Sequence, residues 1–227
     1  MKLQVMETIQ FPEKPFGLWS RIAICGSSGS GKSVILHKLL KHSQYLFAGK
    51  TDLILYFSLM DDLKLFQDIS QFECQFKFYK GLDELESVLI EHKHFARENG
   101  VVVVLEDLQL EAFNNETVAK IFTAYAHHMP LTGVIITCQS PYLRTARYQT
   151  IINRNLTHYI FSRSPRLRSG LCIIGREIDP MKPKQLLSAF NQAISNDKGF
   201  PYLVVDLNEI VYYSGIFPGE CAKVFLE

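Results

Sequence analysis

Short apolar runs alternate with longer amphipathic stretches along nearly the whole of this chain. Such alternation is the pattern of an α/β fold built on a mostly parallel sheet. The short runs predict strands over residues 21–25 (RIAIC), 52–58 (DLILYFS), 74–79 (CQFKFY), 101–106 (VVVVLE), 133–138 (GVIITC), 156–162 (LTHYIFS) and 202–207 (YLVVDL). Several are rich in valine and isoleucine with no polar alternation, as strands covered on both faces are. Helices are predicted at 31–42, 83–97, 115–127 and 183–195. The first opens inside a glycine-rich turn. The second begins near Asp83 and Glu84, acids that favour a helix N-terminus. Residues 209–217 (EIVYYSGIF) read as a terminal strand or hairpin.

The turn after the first predicted strand carries the most specific chemistry. Gly26, Gly31, Lys32 and Ser33 satisfy Gly-x-x-x-x-Gly-Lys-Ser/Thr, with Ser27, Ser28, Gly29 and Ser30 between them. Backbone N–H groups of such a loop wrap the β-phosphate of a nucleotide, and glycine permits the close approach that a Cβ would block. Lys32 supplies a point charge to the β- and γ-phosphates, and the Ser33 hydroxyl is a candidate Mg²⁺ ligand. The helix that starts here turns its positive end on the same anion. These eight residues are the candidate ATP-binding loop.

Hydrolysis needs more than a cradle. The run VVVVLEDLQ ends in two carboxylates, Glu106 and Asp107. One must hold the metal and its water shell, and the other must orient or deprotonate the attacking water. By position Glu106 takes the metal role and Asp107 the water-activating role. The common order is Asp first, so which acid does which job stays open at this level. Gln139, ending GVIITCQ, is the third candidate: an amide beside the phosphate-loop strand points at the γ-phosphate.

The length, 227 residues, suits one α/β domain with a substantial core. The apolar share of 47% and charged share of 21% are those of an ordinary globular chain. No apolar run approaches the roughly 20 residues that span a bilayer, so no membrane association is expected. The first residues lack an apolar core, so no secretory signal is expected. Five cysteines without a Cys-x-x-Cys pair indicate neither a zinc site nor a disulfide framework, and a reducing, intracellular compartment fits best.

The net charge of +1 conceals a strong asymmetry. Residues 51–116 hold fourteen acids against five bases. Residues 117–176 hold no acid at all, but Lys120 and seven arginines: Arg144, Arg147, Arg154, Arg163, Arg166, Arg168 and Arg176. A block this one-sided suits an anionic partner: nucleotide phosphates, a nucleic acid or an acidic neighbouring subunit.

Together these segments resemble the FtsK/HerA-type ATPases that package double-stranded DNA into viral capsids, in the short forms of polintons, adintoviruses and poxvirus-like lineages. The likeness runs from about Pro15 to Glu209. It rests on EKPFGLWSRIAICGSSGSGKS, VVVVLEDLQ, VIITCQS, IINRNLTHYIFSRSPR, IIGREIDPMKPKQLLSAF and GFPYLVVDLNE. It implies an ASCE/RecA-like P-loop NTPase, a three-layer α/β sandwich occupying 1–227 as one ATPase domain, with its core at 15–209 and a terminal strand or tail at 210–227. It further implies ATP and Mg²⁺, a homo-oligomeric ring of five or six subunits around duplex DNA, and action at a viral assembly site in the cell. A capsid or portal partner is implied by the resemblance alone. An arginine of one subunit would reach the γ-phosphate bound by the next. Arg154, followed by Asn155, matches the family's arginine/asparagine pair best; Arg147 and Arg144 are the other candidates, because relatives often carry a further arginine where Thr150 stands here. Two other classes remain open on the residues, a small-molecule or nucleoside kinase and an ATP-switched interaction protein.

Some residues are better read as structural. Asp61-Asp62 lacks a buried β-branched run before it and suits a helix start. His92/His94 and His127-His128 lack a third ligand for a metal. The aromatics alternate as strand residues do and belong in a core, with Tyr142, beside the arginine block, the one exception worth following.

Overall fold

The computed structural model describes residues 14–60, 72–124, 131–143, 145–195 and 199–217. Its strands are β1 (Ser20–Cys25), β2 (Leu53–Ser58), β3 (Gln75–Lys80), β4 (Val101–Glu106), β5 (Gly133–Cys138), β6 (His158–Ser162), β7 (Tyr202–Asp206) and β8 (Val211–Tyr213). They form one eight-stranded sheet in the order β3-β2-β4-β5-β1-β6-β7-β8. Pairings from β3 across to β6 are parallel, while β7 and β8 add on antiparallel. The sheet is therefore mostly parallel, as the alternation predicts.

Side chains of successive strand residues point to opposite faces, and the two faces carry separate cores. On one, Ile22, Ile24, Ile54, Val102, Val104 and Ile135 pack against Ile35, Leu36 and Leu39 of helix α1 (Lys32–Lys41). On the other, Ala23, Leu55, Val103, Leu105 and Phe161 pack against helices that include Leu85–Glu91, Glu116–Phe122, Arg168–Ile178 and Gln185–Ile194. Helix, sheet and helix make three layers. Val101 to Val104 are wholly buried, and burial of each contributes about 1.5–3 kcal/mol. That explains a run of four valines with no polar break: both faces of β4 are covered. Among the described residues no helix is long and apolar enough to cross a membrane.

Differences from the predicted elements have local causes. The helix expected over 83–97 is two, Leu85–Glu91 and Lys93–Glu98, broken at His92. The buried imidazole folds back there, its Nδ1 2.8 Å from the Val88 carbonyl and its Nε2 accepting from the Lys77 ammonium at 2.9 Å. The helix expected over 115–127 starts on an Asn115 cap, whose side chain accepts from the Val118 N–H at 3.1 Å. Its described part is Glu116–Phe122, and its expected end lies outside the described residues. Asp61, Asp62, His127 and His128 lie outside them as well.

Helix Arg168–Ile178 is not predicted from its residues. Two interior glycines, each costing about 1 kcal/mol against alanine, disguise it. Contact requires them: a Cβ on Gly170 would come 2.7 Å from the Pro141 ring, and one on Gly175 would come 2.5 Å from the Pro183 carbonyl oxygen.

Candidate nucleotide site

All six parallel strands, β1 to β6, deliver their carboxyl ends to the same edge of the sheet. There β1 runs into the glycine loop, and the loop runs into α1. Gly29 and Gly31 have φ of 75° and 90°, the left-handed region that favours glycine. Gly26 is glycine for a different reason. A Cβ on it would come 1.8 Å from Ser162 Oγ and 2.4 Å from Ser30 Oγ, because the end of β6 presses directly on the loop.

Two serine contacts fasten that junction. The Ser162 hydroxyl donates to the Cys25 carbonyl at 3.1 Å, so its partner Ser30 donates to it at 2.7 Å. The Ser164 hydroxyl donates to Ser27 Oγ at 3.0 Å. Lys32 is buried and folds back over the loop, its ammonium donating to the Ser27 carbonyl at 3.1 Å. The loop is thus held in a concave arc before any ligand is considered. Preorganisation of this kind lowers the cost of binding. Ser162 and Ser164 are not singled out by the sequence; only the register of β6 against β1 brings them here.

Beside the loop, β4 and β5 supply the acids and the amide. The loop strand β1 and the acid strand β4 are separated by β5 alone. Asp107, at φ 52°, turns out of β4 and is exposed. Its N–H is anchored by donation to Thr137 Oγ1 at 2.9 Å. Gln139 is also exposed, and its N–H donates to Gln109 Oε1 at 2.8 Å while the Gln109 amide group donates to the Ser140 carbonyl. Gln109 therefore fixes where Gln139 starts. It is a positioning residue that the sequence gives no reason to choose, beyond its place two residues after the acids.

One groove of about 540 Å³ gathers these parts: Ser28, Gly29, Gly31, Lys32, Ser33 and Val34 from the loop and α1, with Asp107 and Gln139 from neighbouring strands. Leu59, Met60 and Phe200 complete its lining. The smaller cavity, of about 170 Å³, lies at the opposite end of the sheet around His158, Asp206 and Glu209 and shares no residue with the groove.

Glu106 behaves differently from its neighbour. It follows Val104 on the α1 face of β4, and the Tyr56 hydroxyl donates to its Oε2. Burial, followed by the charge of Glu106, pushes the Tyr56 phenol far above its ordinary range, so it stays a donor. The other oxygen, Oε1, is buried and has no hydrogen-bond partner among the described residues. A buried carboxylate oxygen left without a partner costs free energy. An oxygen of this kind fits a hard divalent cation that takes oxygen ligands, which is the character of Mg²⁺, although Glu106, unlike Ser33 and Asp107, is not among the residues that line the groove.

The arginines lie elsewhere. Arg147, Arg154, Arg163, Arg166, Arg168 and Arg176 are all exposed, and none of them lines the groove. Arg147 is partly restrained: its guanidinium sits 5.0 Å from the Tyr148 ring centroid and its N–H donates to Asn114 Oδ1 at 3.0 Å. Arg154 ends the helix Gln149–Arg154 and is open to solvent. Arg144 lies outside the described residues. Tyr142 is half-buried against the core, and its hydroxyl donates to Glu177 Oε2 at 2.5 Å; burial and that carboxylate raise its pKa. This is a structural clamp on helix Arg168–Ile178.

No protein-family model matches the sequence, and no curated protein does. Solved structures do match in fold. The chain is similar to the genome packaging NTPase B204 of Sulfolobus turreted icosahedral virus 2. With the ATP-γS complex the TM-score is 0.55 at 16% identity, over 86% of this chain and 95% of that one. With the sulfate complex the TM-score is 0.52 at 16% identity, over 92% and 98%. With the AMPPCP complex it is 0.53 at 17% identity, over 86% and 95%. At these identities the likeness is one of fold, an α/β, RecA-like one.

Proposed function

We propose that this chain is an ATP-driven translocase of double-stranded DNA. In this reading it hydrolyses ATP at the subunit junctions of a homo-oligomeric ring, pentameric or hexameric, and drives a viral or virus-like genome into a capsid. One observation carries the catalytic half: Lys32, Ser33, Asp107 and Gln139, from three separate parts of the chain, line one groove beside the glycine loop. The fold likeness to a viral genome packaging NTPase supports the biological half. So does the acid-free arginine block, whose described members are all exposed and of the charge that suits an anionic polymer or an acidic neighbouring subunit.

Each residue then has a task. The N–H groups of Gly29 to Ser33 bind the β-phosphate, and Lys32 exchanges its contact with the Ser27 carbonyl for the β- and γ-phosphate oxygens. Ser33 and Glu106 would hold Mg²⁺, with Tyr56 occupying Oε2 and so leaving Oε1 for the cation. A Mg²⁺ ion held there would supply positive charge to offset that developing on the phosphates. Asp107 accepts the proton of the attacking water, and the Gln139 amide orients that water or reports the γ-phosphate. In this reading the arginine that stabilises the transition state comes from a neighbouring subunit, as the family resemblance implies; among the described residues no arginine of the chain itself lines the groove. Arg154, which with Asn155 matches the family's arginine/asparagine pair best, is the first candidate for that role, with Arg147 and Arg144 as the others. A capsid or portal protein would be the further partner, at an intracellular assembly site.

The test follows the γ-phosphate. ATP labelled there is expected to yield inorganic phosphate faster when duplex DNA of any sequence is added, together with assembly on the DNA seen by negative-stain imaging. Transfer of label to a nucleoside would make the protein a kinase. A rate unmoved by DNA, with no assembly, would remove the translocase reading.

A further inference from the structure

The groove has an aromatic wall that the catalytic arrangement does not use. Phe200 lines it with 51% of its surface exposed. The ring is seated on the last glycine of the loop: a Cβ on Gly31 would come 2.5, 2.7 and 2.9 Å from Phe200 Cδ1, Cγ and Cβ. This seat is fixed from behind. Gly199, at φ 71°, turns the chain into Phe200, and the carbonyl of the next residue, Pro201, accepts from the Arg163 N–H at 3.2 Å. Phe200 is thereby tied to the end of β6, which the two serine contacts tie to the loop. A large half-exposed aromatic held this firmly at a groove wall is placed for a ligand rather than for the core.

The order of strands says which part of a ligand reaches it. Along the carboxyl edge stand β4 with Glu106 and Asp107, β5 with Gln139, β1 with the loop, β6 with Ser162, then Phe200 at the entry to the antiparallel β7. Acids and amide lie on one side of the loop and Phe200 on the other. A triphosphate whose γ end faces Asp107 must carry its nucleoside the opposite way. Val34, in the first turn of α1, lines the same groove and adds an apolar flank.

We infer that Phe200 is the base platform of the site: the nucleobase of the bound triphosphate stacks on its ring. This rests on the nucleotide reading above and adds the subsite that holds the other end of the molecule. Stacking is sequence-tolerant because every base has a π-face, so the platform supplies affinity for a nucleoside over bare polyphosphate.

Calorimetry on the full chain with two probes, MgATP and inorganic tripolyphosphate with Mg²⁺, tests it. Phe200→Ala is expected to weaken MgATP binding by about tenfold and to leave tripolyphosphate binding unchanged. Phe200→Tyr is expected to keep wild-type affinity for both. Equal weakening on both probes would overturn the proposal, since the ring would then act only by packing on Gly31; so would no weakening on either. Lys32→Ala serves as the separate arm. It should weaken both probes, and if it weakens neither, the phosphate-loop reading fails and the platform falls with it.

Discussion

Asp107→Asn is expected to lower the turnover number for ATP hydrolysis by about 10²–10⁴-fold while MgATP affinity stays near wild type. The expectation comes from the unlike surroundings of two adjacent acids. Asp107 is exposed in the groove, its backbone pinned through Thr137, and it makes no bond that neutralises its carboxylate among those described. It is free to take a proton. Glu106 is engaged by Tyr56 on one oxygen and buried on the other. It is fixed, as a metal ligand should be. Glu106→Gln should therefore raise the Mg²⁺ concentration needed for half-maximal rate, and Asp107→Asn should leave that concentration alone. Steady-state phosphate release across a Mg²⁺ titration reads both. If Asp107→Asn hydrolyses ATP at nearly the wild-type rate, the assignment of the base is wrong.

Arg154→Ala is expected to cost about 10³-fold in turnover, the scale on which an arginine finger acts. Its distinguishing property is that the loss should be complemented. When Arg154→Ala subunits are mixed with Asp107→Asn subunits, some junctions combine an intact acid from the first with an intact arginine from the second. Activity should reappear in the mixture although each variant alone is nearly inactive. A finger acting within its own subunit gives no such recovery. Arg147 is the control, because its guanidinium already stacks on Tyr148. Recovery with Arg147→Ala in place of Arg154→Ala would move the role there.

The legible part of this protein is the part written in local pattern. Four valines in a row predict a strand covered on both faces, and β4 is one. The spacing of Gly26, Gly31, Lys32 and Ser33 predicts a strand, a loop and a helix in that order, and β1, the loop and α1 follow it. The position of Gln139 beside the loop strand follows from a strand-ending amide, and β5 pairs with β1 in register from Ser20–Gly133 to Cys25–Cys138. What stays hidden depends on contacts between distant segments. Ser162 and Ser164 are ordinary polar residues until β6 lies against β1. Gln109 gains a purpose only when Ser140 and Gln139 arrive above it. Phe200 reads as one more aromatic near a strand until its ring is found on Gly31. Helix Arg168–Ile178 is obscured because its glycines answer to Pro141 and Pro183 rather than to helix propensity. The unlike surroundings of Glu106 and Asp107 depend on Tyr56, fifty residues before Glu106, which no spacing rule connects to them.

Everything proposed for this chain requires the glycine loop to hold a triphosphate through Lys32. The most direct measurement is phosphate release and MgATP binding by the wild-type chain beside Lys32→Ala. The wild-type chain is expected to bind MgATP and release phosphate, and Lys32→Ala to do neither while unfolding at the wild-type temperature. A wild-type chain that binds no MgATP, or a Lys32→Ala variant that hydrolyses it at the wild-type rate, would contradict it.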